Sequence, residues 1–135
     1  MSIEISVLES EKVIVSRLSG RLTDMDLLDA QDYFENKVTW SDGTAELIDL
    51  SNADLAAATT RLMPELAERF EAFFDNAGVE TARVALCSPN DLQFGMSRVF
   101  ETWAKRSSIA TFATFRDWES ADLWLRSSES LPDSG

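Results

Sequence analysis

Ala45-Glu-Leu-Ile-Asp-Leu-Ser-Asn-Ala-Asp54 reads as a buried strand that runs straight into a polar loop. Leu47, Ile48 and Leu50 form an almost unbroken run of large apolar residues, where a half-exposed strand would alternate. A strand covered on both faces has that composition, so this one belongs in the middle of an α/β sheet. Asp49, Ser51, Asn52 and Asp54 crowd its carboxyl end, the position at which open α/β sheets keep their binding crevices. The same residue types also satisfy backbone donors in strand-to-helix turns.

Upstream, Ile3, Ile5 and Val7 alternate with Glu4 and Ser6, and Val13, Ile14, Val15 and Leu18 follow after a short polar interval. This predicts a hairpin whose first strand lies at a sheet edge and whose second strand ends at Gly20. Thr23 and Asp26 have the spacing of a capping box, and Leu27, Ala30, Phe34 and Val38 share one face of a helix over about 24–38. Trp40 stands beyond that helix in a polar turn, which makes it a candidate for exposure at a contact surface.

Downstream, Leu62, Leu66, Phe70, Phe73 and Ala77 repeat at helical spacing, with Pro64 in the first turn and Gly78 as a stop. Thr59 or Thr60 is the expected N-cap. Ala82 to Cys87 is a short apolar strand. Asn90 or Asp91 then caps a helix with Leu92, Met96, Val99, Phe100 and Trp103 on one face. Gly95 inside that helix predicts close backbone packing against another helix or a ligand. Ile109 to Phe115 is the last strand, and Asp117 caps a closing helix carrying Trp118, Ala121, Trp124 and Leu125. The order is β-β-α-β-α-β-α-β-α: a single α/β domain over 1–126 with a mixed five-stranded sheet and four helices, followed by a polar tail at 127–135. Strands joined through single helices should be parallel. The four Trp and eight Phe are otherwise accounted for as core.

Composition narrows the function. The formal net charge of -12, from 24 acidic and 12 basic residues, opposes nucleic acid and anionic membranes as partners. No histidine is present and Cys87 is the only cysteine, which removes the usual ligands of zinc and imidazole acid-base chemistry. Cys87 ends an apolar strand without a basic neighbour and reads as an inert buried thiol. Asp49, Asp54 and Asp91 are the residues that could converge on a hard cation, yet the carboxylates and lysine of a phosphoacceptor receiver are not in place around Asp49. No phosphate loop, nucleophile elbow or dinucleotide fingerprint occurs. With no signal peptide and no membrane-length apolar run, the expectation is a cytoplasmic, noncatalytic protein without stable membrane insertion and without a cofactor or metal.

Leu18-Ser-Gly-Arg-Leu-Thr23, Glu46-Leu-Ile-Asp-Leu-Ser51 and the element order resemble the SpoIIAA-like fold shared with STAS domains, over about residues 3–126. Phe94-Gly-Met-Ser-Arg-Val-Phe-Glu101 and Phe115-Arg-Asp-Trp-Glu-Ser-Ala-Asp-Leu-Trp-Leu125 are similar to a bacterial group of SpoIIAA-like proteins that are mostly uncharacterised. The resemblance implies a bacterial regulatory or binding module acting through protein contacts, with an unknown protein partner such as a regulatory factor. It places the candidate interaction and phosphoacceptor loop at Asp49, Ser51, Asp54, Thr59 and Thr60. The matching stretch, Leu55-Ala-Ala-Ala-Thr-Thr60, lacks the acidic residue and glycine of the family's Asp-Ser-Ser-Gly-like motif. The bacterial group has also been compared with lipid-binding CRAL-TRIO domains. That comparison implies an alternative, a small-molecule or lipid carrier with an apolar pocket beside Phe94, Met96, Arg98 and Phe100. Arg98 is placed to reach a carboxylate across the sheet or an acidic ligand group, or to form a surface ion pair. An edge strand or Trp40 offers a surface for a homodimer.

The two readings predict different structures. A protein-contact module should expose an apolar patch on its second or third helix. A carrier should enclose a void.

Overall fold

Helix α1 begins where the sequence places it, because Thr23 accepts from the Asp26 amide while the Asp26 carboxylate accepts from the Thr23 amide. The same reciprocal cap recurs at Asn90 and Gln93, and Asp117 accepts from the Ser120 amide at 2.7 Å. A computed structural model describes residues 2–8 and 12–127, so the expected tail beyond Ser127 and the hairpin loop at 9–11 lie outside the described residues. The elements are β1 (Ser2–Leu8), β2 (Val13–Arg21), α1 (Asp24–Lys37), β3 (Ala45–Asp54), α2 (Met63–Asn76), β4 (Ala82–Cys87), α3 (Asp91–Ala104), β5 (Ala110–Phe115) and α4 (Trp118–Arg126).

The strands lie side by side in chain order, with β1 antiparallel to β2 at one edge and β2 to β5 parallel. Each crossover steps to the next strand in the same direction, and crossovers of one hand then put α1, α2 and α3 on a common face. Ile14, Leu18, Leu50, Val84, Leu86 and Phe112 pack beneath those three helices. The opposite face carries Val13, Val15, Ala45, Leu47, Ala85, Cys87 and Ala113, covered by Ala121, Trp124 and Leu125 of α4. Small residues on both sides let that short helix lie close. Arg83 holds its end by donating to the carbonyls of Trp124 and Ser127.

Two departures from the sequence reading concern strand ends. β2 does not stop at Gly20 but runs through it to Arg21, with Gly20 at φ 84, a conformation that a side chain would disfavour. β3 likewise continues to Asp54, where a polar loop was expected. The pairing moves from Arg17↔Asp49 to Ser19↔Asn52, so β3 holds one extra residue there, a β-bulge. The bulge reverses the alternation: Glu46, Ile48 and Leu50 face the three helices before it, and Ala53 and Leu55 join that core after it.

β4 ends opposite Asp49, which leaves the far end of β3 without a neighbour on that side. Gln93 fills the gap. Its amide nitrogen donates to the carbonyls of Leu50 at 2.6 Å and Ala53 at 2.8 Å, while its oxygen accepts from the Asn90 amide. One buried side chain thus caps α3 and closes the overhang of the central strand.

Three further expectations change. Trp40 is 5% exposed, its indole meeting the Phe74 ring edge-on at 4.9 Å, because the turn after α1 folds back over the aromatic cluster of α2. The N-cap of α2 is Leu62, without a side-chain bond; Thr59 and Thr60 stand before it. A Cβ on Gly95 would meet nothing within 4 Å, so this glycine serves no close packing.

Gly95→Ala should therefore stabilise the protein by about 1 kcal/mol in urea unfolding, the ordinary difference in helix propensity. Gln93→Ala should cost about 2–4 kcal/mol, since it strands two buried carbonyls. A loss within a few tenths of zero would mean that the overhang does not depend on this side chain.

Candidate functional site

Ile48 stands in the middle of the middle strand and still keeps accessible surface, although its neighbours Leu47 and Leu50 are buried. The reason is a cavity of about 110 Å³ between the sheet and the three helices. Its floor is Ser16 and Leu18 of β2, Glu46, Ile48 and Leu50 of β3, and Leu86 of β4. Its walls come from Leu27, Ala30 and Phe34 of α1, from Met63, Leu66 and Phe70 of α2, and from Met96 and Phe100 of α3. α1 and α2 touch sparingly, whereas α3 packs closely on α2 and β5.

The lining is apolar apart from Ser16, Gln31, Ser97 and Glu46. Gln31 donates to Glu35 at 3.1 Å, and the Ser97 and Ser88 hydroxyls share a bond of 2.7 Å. Glu46 is different. It is 1% exposed, accepts a bond of 2.8 Å from the Ser16 hydroxyl on Oε2, and has no partner on Oε1. Removal from water pushes its pKa up to about 8, with the Ser16 bond opposing the shift only in part. At neutral pH the folded protein holds this carboxyl protonated.

The candidate pocket residues divide. Met96 and Phe100 line the cavity. Phe94 lies under the Arg116 guanidinium, 4.2 Å from ring centroid to cation, and the partly exposed Arg98 pairs with the buried Glu101 at 3.8 Å. Of the candidate loop, Asp49 and Ser51 are brought together: the Ser51 amide and hydroxyl donate to Asp49 at 3.0 and 2.6 Å, and Arg17 approaches at 3.5 Å. Asp49 is 8% exposed and within the strand, on the α4 side of the sheet. Arg17 beside it stacks on Trp118 of α4. Asp54 accepts from the Ala56 amide. Thr59 is tied elsewhere, its amide and hydroxyl both donating to Asp24 at 2.7 Å, and Thr60 is exposed. These two bonds, the hydroxyl's first, hold Asp24 below the usual carboxylate pKa and fix the loop before α2 to the start of α1.

Asp91 pairs with Arg116 at 2.7 Å, and among the described residues no three acidic or thiol groups gather as metal ligands would. Burial pushes the Cys87 thiol up to about 11, with Asp49 and Asp117 adding to the shift, so it is protonated and unreactive. No helix among the described residues is long and apolar enough to cross a membrane.

No protein-family model matches the sequence, and no curated protein matches it significantly. Among solved structures, the chain is similar to the crystal structure of an uncharacterized protein from the DUF3478 family with a SpoIIAA-like fold, from Shewanella loihica PV-4. The two are 21% identical, the match covers 92% of each chain, and the TM-score is 0.54. The chain therefore has a SpoIIAA-like fold, as its element order and short motifs led us to expect.

Glu46 was legible only as part of the central-strand motif. The available signal is parity: counted from Ile48 and Leu50, a glutamate two residues upstream must face the same core. Because its folded pKa lies above the unfolded value, the folded state holds a proton that the unfolded state has released between pH 4.5 and about 8. Its contribution to stability is therefore fully present at low pH and is lost as pH rises through that window. In urea unfolding, the stability of Glu46→Gln relative to wild type should rise by roughly 1 kcal/mol per pH unit across the window and level off above it. A pH-independent difference would show that the carboxyl is already ionised in the folded protein.

Proposed function

We propose that this protein is a noncatalytic binding domain that holds a small, mostly apolar molecule between α1, α2, α3 and the sheet. The observation that carries this reading is the cavity over Ile48, walled by apolar side chains and lined by Glu46, which has one unpartnered buried oxygen. An engineered apolar cavity of about 150 Å³ takes up benzene, so a space of this size suits one aromatic ring or a short aliphatic group. A long lipid chain would need the helices to part.

Binding rather than catalysis is supported by the state of the Ser16–Glu46 pair, which holds the one titratable side chain among the lining residues. Ser16 donates to Glu46, but a carboxyl kept protonated cannot take the serine proton at neutral pH. Protein contact, the other expectation from the resemblance, has less support. The exposed large apolar residues Val7, Met25, Tyr33, Leu92, Val99 and Leu123 are distributed over β1, α1, α3 and α4.

Toluene should bind saturably and raise the melting temperature, as any ligand selective for the folded state does. Ala30→Leu, which puts three more carbons into the space, should keep the fold and abolish that binding in a chemical-shift titration. If wild type takes up no toluene or other one-ring probe, the binding-domain reading is wrong.

A further inference from the structure

Resting on the binding reading above, the lining of the cavity also restricts the head group of its ligand. No Lys or Arg is among the lining residues, and Glu46 is the one titratable side chain there. The nearest charges face away: Glu35 pairs with Arg69 beyond Gln31, and Glu101 accepts from Thr114 and pairs with Arg98 on the far side of α3. A carboxylate or phosphate would enter without a counter-charge, beside a carboxyl it can only repel once ionised. An ammonium would have to be stripped of water and would expel the Glu46 proton. A hydroxyl needs neither, since it can donate to Oε1 or accept from it, whichever carboxyl oxygen carries the proton.

We propose that the cavity is a site for a small uncharged alcohol or phenol, whose one hydroxyl pairs with Glu46 Oε1 while its apolar body lies against Ile48, Leu50, Phe34 and Phe70. Ser16 holds the carboxyl from its other oxygen, which leaves Oε1 as the buried acceptor without a partner. Burying a carboxyl with one oxygen unused is costly to a fold, and a ligand hydroxyl supplies the missing bond.

The test compares four one-ring probes, toluene, benzyl alcohol, benzylamine and benzoate, by chemical-shift titration at pH 6 against wild type, Glu46→Leu and Glu46→Gln. Comparing affinity ratios between proteins cancels the probes' different hydration. The benzyl alcohol to toluene ratio should be about 10-fold higher in wild type than in Glu46→Leu, the size of one hydrogen bond to a buried group. Glu46→Gln, which keeps a carbonyl oxygen in place, should retain most of that ratio, and benzoate should bind at least 10-fold more weakly than benzyl alcohol. Toluene binding with an unchanged ratio in Glu46→Leu would overturn the hydroxyl site and leave the cavity as a binding site. Benzylamine as the tightest probe would overturn it in favour of a cation site. Failure of every probe would remove the binding reading itself.

Discussion

From β2 to β5 each crossover steps one strand in the same direction, and the rest of the molecule follows from that constraint. Three helices must share one face of the sheet, leaving the other to the closing helix alone. α2 and α3 pack on each other through Phe70, Phe74, Phe100 and the β5 residue Phe112, with ring centroids 5.1 to 6.0 Å apart. α1 meets this group mainly through Phe34, which touches Phe70 and Phe73. It is anchored at its ends, by Asp24 to Thr59 and by the ion pairs of Asp32 and Glu35 with Arg69. An element held at its ends and by one aromatic contact leaves space beneath its middle, and that is where the cavity lies.

The central strand adapts to the same arrangement. A regular β3 would alternate through Asp54 and turn Ala53 and Leu55 away from the three helices. The extra residue near Leu50 and Ser51 restores them to the core, and Gln93 takes the carbonyls that the bulge and the short β4 leave open. The local cost of an irregular strand is thus offset by core burial on one side and by two hydrogen bonds on the other. The Asp49, Ser51 and Arg17 group belongs to this adaptation too. It satisfies the strand where it bends, on the face opposite the cavity, which is a structural use for residues that looked like a binding crevice.

The sequence made the element order, the caps at Thr23 and Asp117, and the parallel core legible, because each rests on local periodicity or a short-range hydrogen bond. It did not reveal features that depend on relative strand lengths. That β4 stops opposite Asp49 while β3 runs on cannot be read from either strand alone, so neither the bulge nor the role of Gln93 was visible. Trp40 was misjudged for a similar reason: a polar turn predicts exposure unless the turn folds back over another element, here α2. Helical spacing assigned Met96 and Phe100 to the core face, where both are buried, but their neighbours Phe94 and Arg98 point to a different side of the same helix, 100° per residue away.

In the binding reading we propose, Glu46 is the residue that matters most, for an energetic reason. A fold that needed only to close its core would place an aliphatic side chain between Ile14 and Ile48, since a buried neutral carboxyl with an unused oxygen destabilises it. Ser16 lessens that cost without removing it. Glu46 is among the residues that line the space of about 110 Å³ and keeps one oxygen without a hydrogen bond. Polar groups kept at a cost inside apolar cavities are how small-molecule sites orient what they bind. On that reading, the oxygen left without a partner in the fold is the one that discriminates among ligands.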